Sequence, residues 1–349
     1  YLLLKRNNHY IFIVLIFVIV FIFPPVLRFI LESEGRPFTE IAFALKYVLF
    51  VFCIILFNCN YDESERQRVI KKMLVVSCLA VSINVMLGYF GWGFYTYKAT
   101  NTGFKGFFIA GNELSAVFIV VSTYILCELF ISKRYLIYVV MSVFLMFISL
   151  SLGTKSTLIA IPFILITAPV VIYLFSGKLK WLPFYGLGAA GMVAGALSNY
   201  ELFLNFDSIQ RILHKVSKLD YLHVIFSGRE MWAESILVYL QNNLSIQNIL
   251  LGPGLHTVEK VLSGKALIES DLFDIFNMFG VIGLTSCLLI SVFFVLYPVI
   301  KSSRPYAPHV FIANILLFTF AIITGHVWAS GMLAISWAGL NSLIFIKCK

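Results

Sequence analysis

The chain has 349 residues, of which 60% are hydrophobic and only 12% charged, with a mean hydropathy of +0.93. That composition excludes a soluble globular protein and fits a polytopic membrane protein. The formal net charge of +9 does not point to nucleic acid, and none is expected as a partner, because the basic residues punctuate apolar runs as the positive-inside rule requires.

The expected fold is all-α, with about ten transmembrane helices and one long extracytoplasmic loop before the eighth. A spanning helix needs roughly 20 mostly apolar residues. In chain order the runs are 10–31, 41–57, 73–90, 107–131, 135–152, 157–175, 181–198, 271–298, 309–327 and 332–346. Residues 1–198 thus hold spans one to seven, 199–270 the long loop with amphipathic helices, and 271–349 spans eight to ten. Residues 91–106 are aromatic and glycine-rich, with Trp92, Tyr95 and Tyr97, as at a membrane interface. The chain begins at Tyr1 rather than Met, so an upstream start is expected, and with it a further span. No cleavable signal peptide is evident. Cys53, Cys59, Cys78, Cys127, Cys287 and Cys348 show no metal spacing and imply no disulfide framework.

Charge sets the expected sidedness. With the N-terminus in the cytoplasm, the cytoplasmic segments hold Lys5/Arg6, Arg66 to Lys72, Lys133/Arg134, Lys178/Lys180, Lys301/Arg304 and Lys347/Lys349. The short outer loops hold only Arg36, Lys98, Lys105 and Lys155. Long loops weigh little in this rule. The expectation is therefore a multi-pass protein of the bacterial cytoplasmic membrane, with both termini cytoplasmic and the 199–270 loop outside.

The chemistry-bearing residues concentrate in 227–283. Ser227-x-x-Glu230 fits a capping box, predicting a helix from Ser227. Trp232, Ile236, Tyr239 and Leu240 give that helix one apolar face. Arg229 then lies in the first turn, unfavourably for the helix alone but favourably if an anion docks there. The plainer reading pairs it with Glu230 or Glu234. Glu269 and Asp271 sit where the loop enters the eighth span. Either acid can serve the helix dipole, or act as a general base in a water-poor pocket. Lys155, between two spans, reads as an interfacial lysine or as a cation facing an anionic headgroup. Asn112 and Glu113 fall within an apolar run, where a polar group usually faces a polar cavity. Arg211 lies in the amphipathic stretch Ser208 to Val224, as a headgroup contact. Lys46, His214, His223 and His256 are weaker candidates. No Walker motif, dinucleotide fingerprint or metal-ligand cluster occurs, so neither metal nor cofactor is expected. Outside the cell ATP is absent, and the energy has to arrive with the substrate, as in a lipid-linked diphosphate.

The order Ala-Gly-Asn-Glu, Leu-Gly-Thr-Lys-Ser-Thr, Ser-Gly-Arg-x-x-Trp, Leu-x-Gly-Pro-Gly and Phe-Gly-Val-Ile-Gly resembles the O-antigen ligase / O-antigen polymerase (Wzy) superfamily, over roughly residues 105–285. The resemblance implies a glycosyltransferase acting on undecaprenyl-diphosphate-linked glycans, as donor and as acceptor. Membrane lipids, a flippase and a chain-length regulator are its implied partners. It implies that Arg229 and Lys155 hold the diphosphate. Ligases of the superfamily carry a histidine where this chain has Glu269, which favours a polymerase of repeat units. Glu269 or Asp271 would then accept the hydroxyl proton, and Arg229 would offset charge on the departing diphosphate. The rival readings are an O-antigen ligase, a peptidoglycan polymerase of the SEDS type, a flippase or transporter, and a non-enzymatic scaffold. A transporter is expected to distribute polar residues through both halves of the bundle, whereas here they gather in one loop.

Overall fold

The computed structural model describes residues 8–32, 37–98, 100–178, 180, 185–186, 204, 206–216, 221–243 and 245–346. The described helices are α1 (Asn8–Glu32), α2 (Pro37–Asn60), α3 (Glu63–Tyr89), α4 (Gly111–Ile131), α5 (Tyr135–Leu152), α6 (Lys155–Phe175), α7 (Asp207–Val216), α8 (Tyr221–Phe226), α9 (Arg229–Asn242), α10 (Ile246–Leu251), α11 (Gly254–Val261), α12 (Asp271–Ile300), α13 (Ala307–Ile323) and α14 (Gly331–Ser342). Among the described residues, seven helices are long and apolar enough to cross a membrane: α1 to α6 and α12. Helices α13 and α14 are apolar but shorter. The protein is thus an all-α polytopic membrane protein. The apolar run expected at 181–198 lies outside the described residues but for Tyr185 and Gly186.

One small sheet interrupts the helices. Strands β1 (Phe94–Tyr97) and β2 (Thr102–Gly106) pair antiparallel, so the aromatic segment expected at an interface forms a hairpin. Its Thr96 hydroxyl donates to the Leu152 carbonyl at 2.8 Å, tying the hairpin to the end of α5.

The chain divides into two compact units. The first comprises 1–62, 219–293 and 318–338; the second comprises 63–218, 294–317 and 339–349. In the first unit α1 and α2 pack together, and Phe21 stacks on Tyr47 while Phe279 meets both rings edge-on at 4.9 and 5.1 Å. Beside them lies a buried ion pair that the sequence does not announce. Arg28 Nη2 donates to Glu40 Oε2 at 2.6 Å, and both side chains are nearly inaccessible. Arg28 Nη1 also donates to the carbonyls of Leu251, Gly252 and Met278, and Glu40 Oε1 accepts the Leu255 N–H at 2.9 Å. A cation at the end of the first span therefore holds the α10–α11 turn.

Two motif glycines allow that turn to lie on α12. Gly280 has φ 63° inside α12 and marks a kink. A Cβ at Gly280 would lie 2.1 Å from the Leu250 oxygen, and one at Gly252 (φ 76°) 2.4 Å from the Phe276 oxygen. Each glycine faces the other segment's backbone, in a conformation that side chains disfavour.

In the second unit α4 is the central helix: 78% of its apolar stretch is buried, against 33–39% for the neighbours α3, α5 and α6. It packs on all three. Pro169 in α6 removes the N–H that the Leu165 carbonyl would otherwise receive. The Tyr138 and Tyr185 hydroxyls donate to that carbonyl instead. Near the far end of α4, Glu128 pairs with Lys71 of α3 at 2.7 Å and lies 3.6 Å from His309 of α13.

Candidate functional site

The loop entering α12 is built around a strained corner. Glu269 has φ 67°, unusual for a residue with a side chain. The corner is held from below by Asp274, whose Oδ1 and Oδ2 accept the N–H groups of Ile268 at 2.7 Å and Glu269 at 3.0 Å. From one side, the Ser270 hydroxyl donates to the Ile322 carbonyl at 2.9 Å. That carbonyl belongs to the last turn of α13, where backbone acceptors lack helical partners. Strain of this kind persists only where the surroundings over-determine it, and it gathers at functional sites.

The corner presents the Glu269 carboxylate to two cations. Oε2 lies 3.1 Å from Arg229 Nη2, and Oε1 lies 3.2 Å from Lys265 Nζ. Lys265 in turn stands 3.1 Å over the ring of Trp232, a cation–π contact that fixes its ammonium. Arg229 is 8% exposed and its Nη1 reaches the Ile323 carbonyl at 3.4 Å. Its Nε is buried without a hydrogen-bond partner among the described residues. The Glu269 side chain remains 35% exposed, so this pair is open to a ligand. Burial alone would raise the Glu269 carboxyl. The charges of Lys265, then Arg229 and His326, outweigh it and hold the group below its ordinary value. It is therefore a carboxylate at neutral pH. A bound diphosphate beside the same cations would compete for them and raise its proton affinity again.

Asp271, two residues on, is placed differently. It is 1% exposed. Its Oδ1 accepts the His326 N–H at 2.7 Å, and its Oδ2 accepts those of Val327 and Trp328 at 2.8 and 2.9 Å. Its acceptors fix the turn between α13 and α14.

The helix carrying Arg229 starts later than the sequence suggests. The predicted capping box does not form: Gly228, with φ 86°, is the N-cap of α9 and makes no side-chain cap bond. Ser227 itself has φ 59°, outside the extended geometry an N-cap serine needs. Glu230 is drawn instead to His223 Nδ1 at 2.6 Å. Arg229 still opens the first turn, and its partner is Glu269 rather than Glu230 or Glu234. On the expected apolar face Ile236 is buried and packs with Ala233, Val258 and Ile268, joined by Trp232 and Leu240.

The remaining candidates lie in the second unit. Lys155 is the first residue of α6, after the extended Thr154. Arg211 of α7 donates from Nη2 to the Gly153 carbonyl at 3.1 Å and stacks 3.3 Å over the Tyr97 ring. It thus grips the turn that presents Lys155. The half-buried Asn112 and Glu113 lie in the first turn of α4. The Ser115 hydroxyl joins that turn to Thr154 at 2.8 Å. Lys155, Arg211 and the starts of α4 and α6 therefore converge, and neither start is capped by its N-cap side chain. Lys46 lies over the Phe43 ring at 4.8 Å. His214 is exposed on α7 and His256 half-buried on α11. Among the described residues no His/Cys/Asp/Glu group could hold a metal ion.

Sequence reasoning missed Lys265 and the Arg28–Glu40 pair, and it gave Asp274, one of the acids concentrated in 227–283, no role. Lys265 and Asp274 had a faint signal in their proximity to Glu269. The pair had none, because its partners are drawn from three distant stretches.

A family model described as O-antigen ligase like membrane protein matches residues 2–182. The match ends before Arg229 and Glu269. Comparison with curated proteins and with solved structures gives no match. Matched over more than half its length, the chain belongs to the O-antigen ligase-like membrane proteins, a membership that gives it a role in surface-polysaccharide assembly as a glycosyltransferase-type membrane enzyme.

Proposed function

We propose that the chain polymerises undecaprenyl-diphosphate-linked oligosaccharide repeats on the outer face of the bacterial cytoplasmic membrane. The observation that carries this reading is the half-exposed Glu269 carboxylate paired with the Arg229 guanidinium at 3.1 Å. A glycosyl transfer from a lipid diphosphate needs a proton acceptor and a group that takes up negative charge, and this pair supplies both.

In the proposed step the acceptor sugar hydroxyl gives its proton to Glu269 as its oxygen bonds to the donor's anomeric carbon. The bond from that carbon to the diphosphate oxygen breaks, and Arg229 stabilises the charge on the departing diphosphate. Of the two acids that the sequence offers, Glu269 takes the proton, because its oxygens are reachable. Asp271 and Asp274, filled by backbone N–H groups, are positioning residues that hold the corner. Lys155 and Arg211, beside the starts of α4 and α6, suit the headgroup of a lipid-linked substrate, with Asn112 and Glu113 as glycan contacts. Chemistry of this kind requires neither a nucleotide nor a metal ion.

The test is deletion of the gene followed by gel analysis of the surface glycan. Loss of a polymerase leaves single repeat units. Membership of the O-antigen ligase-like family favours a second reading, a ligase, whose loss would leave finished polymer on the lipid carrier. Complementation with Arg229→Ala or Glu269→Gln should fail to restore chain length. Full-length glycan from both variants would reject the site.

A further inference from the structure

We propose that the end of the second unit opposite Lys155 holds an anionic glycerophospholipid of the cytoplasmic leaflet, in a site built from two adjoining cavities. The first is a cavity of about 340 Å3 lined by Lys133, Lys178 and Arg304, with Ser176, Ser302 and Ser303. These residues come from three separate turns, after α4, after α6 and after α12. Among its described lining residues there is no acid. Arg304 is half-buried and gives Nη1 to the Phe345 carbonyl at a long 3.4 Å.

The second cavity, of about 640 Å3, runs along α5 and α6. Tyr138, Val139, Val143, Met146, Phe147 and Leu165 make most of its wall. The Leu165 carbonyl, left without its helical donor by Pro169, already receives two tyrosine hydroxyls, and the Ser142 hydroxyl donates to the Tyr138 carbonyl, so the wall presents hydrocarbon. The two cavities share Phe130 and Tyr135. Around Phe130 the rings of Tyr135, Tyr138, Tyr173 and Tyr185 stand at 5.5–6.3 Å, all edge-on. Tyrosines gather where headgroups meet acyl chains, so this ring of aromatics marks the level at which cation-lined space gives way to apolar space.

Charge decides the occupant. Three cations without an acid fit a phosphate headgroup, while an apolar trough continuous with them fits the attached chain. The charge bias of the sequence assigns these turns to the cytoplasm, where the leaflet carries anionic lipid. Each basic residue near such a surface is worth about fivefold in affinity, so the three together contribute about a hundredfold.

The full chain, purified in mild detergent, is offered equal amounts of phosphatidylglycerol and phosphatidylethanolamine, and the retained lipid is read by native mass spectrometry. Wild type should retain phosphatidylglycerol preferentially. The Lys133→Gln/Lys178→Gln/Arg304→Gln variant should lose that preference, with an affinity about a hundredfold lower. Val143 is 67% exposed, so Val143→Trp should fold, fill the trough and release both lipids. Equal retention of the two lipids by wild type, or undiminished phosphatidylglycerol in either variant, overturns the proposal. So does full displacement by inorganic phosphate at the lipid's concentration, which would leave the trough without a role, or replacement of phosphatidylglycerol by a polyprenyl phosphate. None of these outcomes depends on glycosyl transfer at Glu269.

Discussion

Arg28 gives the sharpest test of how the first unit holds its site loop. Its guanidinium serves Glu40 and three backbone carbonyls, Leu251, Gly252 and Met278. Replacing it by Met leaves the Glu40 carboxylate buried with the Leu255 N–H as its remaining hydrogen bond in this network. Breaking a buried pair by removing one partner costs about 3–5 kcal/mol, chiefly through the stranded charge. Glu40→Gln strands the guanidinium and should cost a similar amount. The double variant strands neither charge. Its remaining cost is three carbonyls short of a donor, at about 1 kcal/mol each, or about 3 kcal/mol. The two singles would sum to about 6–10 kcal/mol, so the cycle predicts a coupling of at least about 3 kcal/mol in favour of the double variant. The assay is unfolding of the purified chain in mixed micelles, followed by the fluorescence of Trp328 and Trp337, both buried in the same unit. Additive costs, or wild-type stability in Arg28→Met, would show that the pair does not clamp the α10–α11 turn.

Three further outcomes follow from the same geometry. Arg229→Ala should lower glycosyl transfer to a lipid-linked acceptor by about 10²–10³-fold, the usual cost of losing one transition-state donor, and Arg229→Lys should recover only part of it. The stability difference between wild type and Glu269→Gln should depend on pH in one direction. Because the folded state holds this carboxyl below its unfolded value of about 4.3, its contribution is complete at neutral pH. It disappears as pH falls through the lowered folded value. A wild-type advantage that grows toward acid would contradict the two-cation geometry. Gly280→Ala should abolish folded protein at expression temperature, since its Cβ would stand 2.1 Å from the Leu250 oxygen. The same change at Gly177, with φ 68° and nothing within 4 Å, carries only the left-handed penalty of about 1–2 kcal/mol. Equal expression of the two would show that the α10–α12 contact is not tight.

What the sequence made legible was what depends on neighbours along the chain. Apolar runs of spanning length become α1 to α6 and α12: Tyr135–Leu152 coincides with the run at 135–152, whereas α3 begins at Glu63, ten residues before the run expected at 73–90, because the helix continues through the polar residues Arg66 to Lys72. The prominence of 227–283 was also visible, because polar residues are conspicuous in so apolar a chain. What failed was local where two local rules competed. Ser227 and Glu230 have capping-box spacing, yet Gly228 takes the left-handed position at the helix start and Glu230 pairs with His223. What was invisible was long-range. Glu40 reads as an ordinary loop acid until Arg28 and the Leu255 N–H are brought to it. Lys265 is unremarkable until the Trp232 ring lies beneath it.

These misses change how the motifs are to be understood. Leu-x-Gly-Pro-Gly and Phe-Gly-Val-Ile-Gly resemble signatures of chemistry, yet in this structure their glycines meet backbone, Gly252 against Phe276 and Gly280 against Leu250. They form a clasp that lays α10 on α12. Asp271 and Asp274 are likewise filled by backbone donors. Two groups left able to exchange a proton or meet an anion stand at the joints that the clasp fixes: Glu269 on its left-handed corner and Arg229 at the first turn of α9. A left-handed residue with a side chain costs about 1–2 kcal/mol, and neither the packing of α12 nor the capping of α13 requires the Glu269 side chain itself. A glycine at position 269 would relieve the strain while keeping the Asp274 contacts, which reach only backbone. Glu269→Gly should therefore be no less stable than Glu269→Ala, and it should be inactive. An active glycine variant would mean that the corner, and not its carboxylate, is what transfer requires.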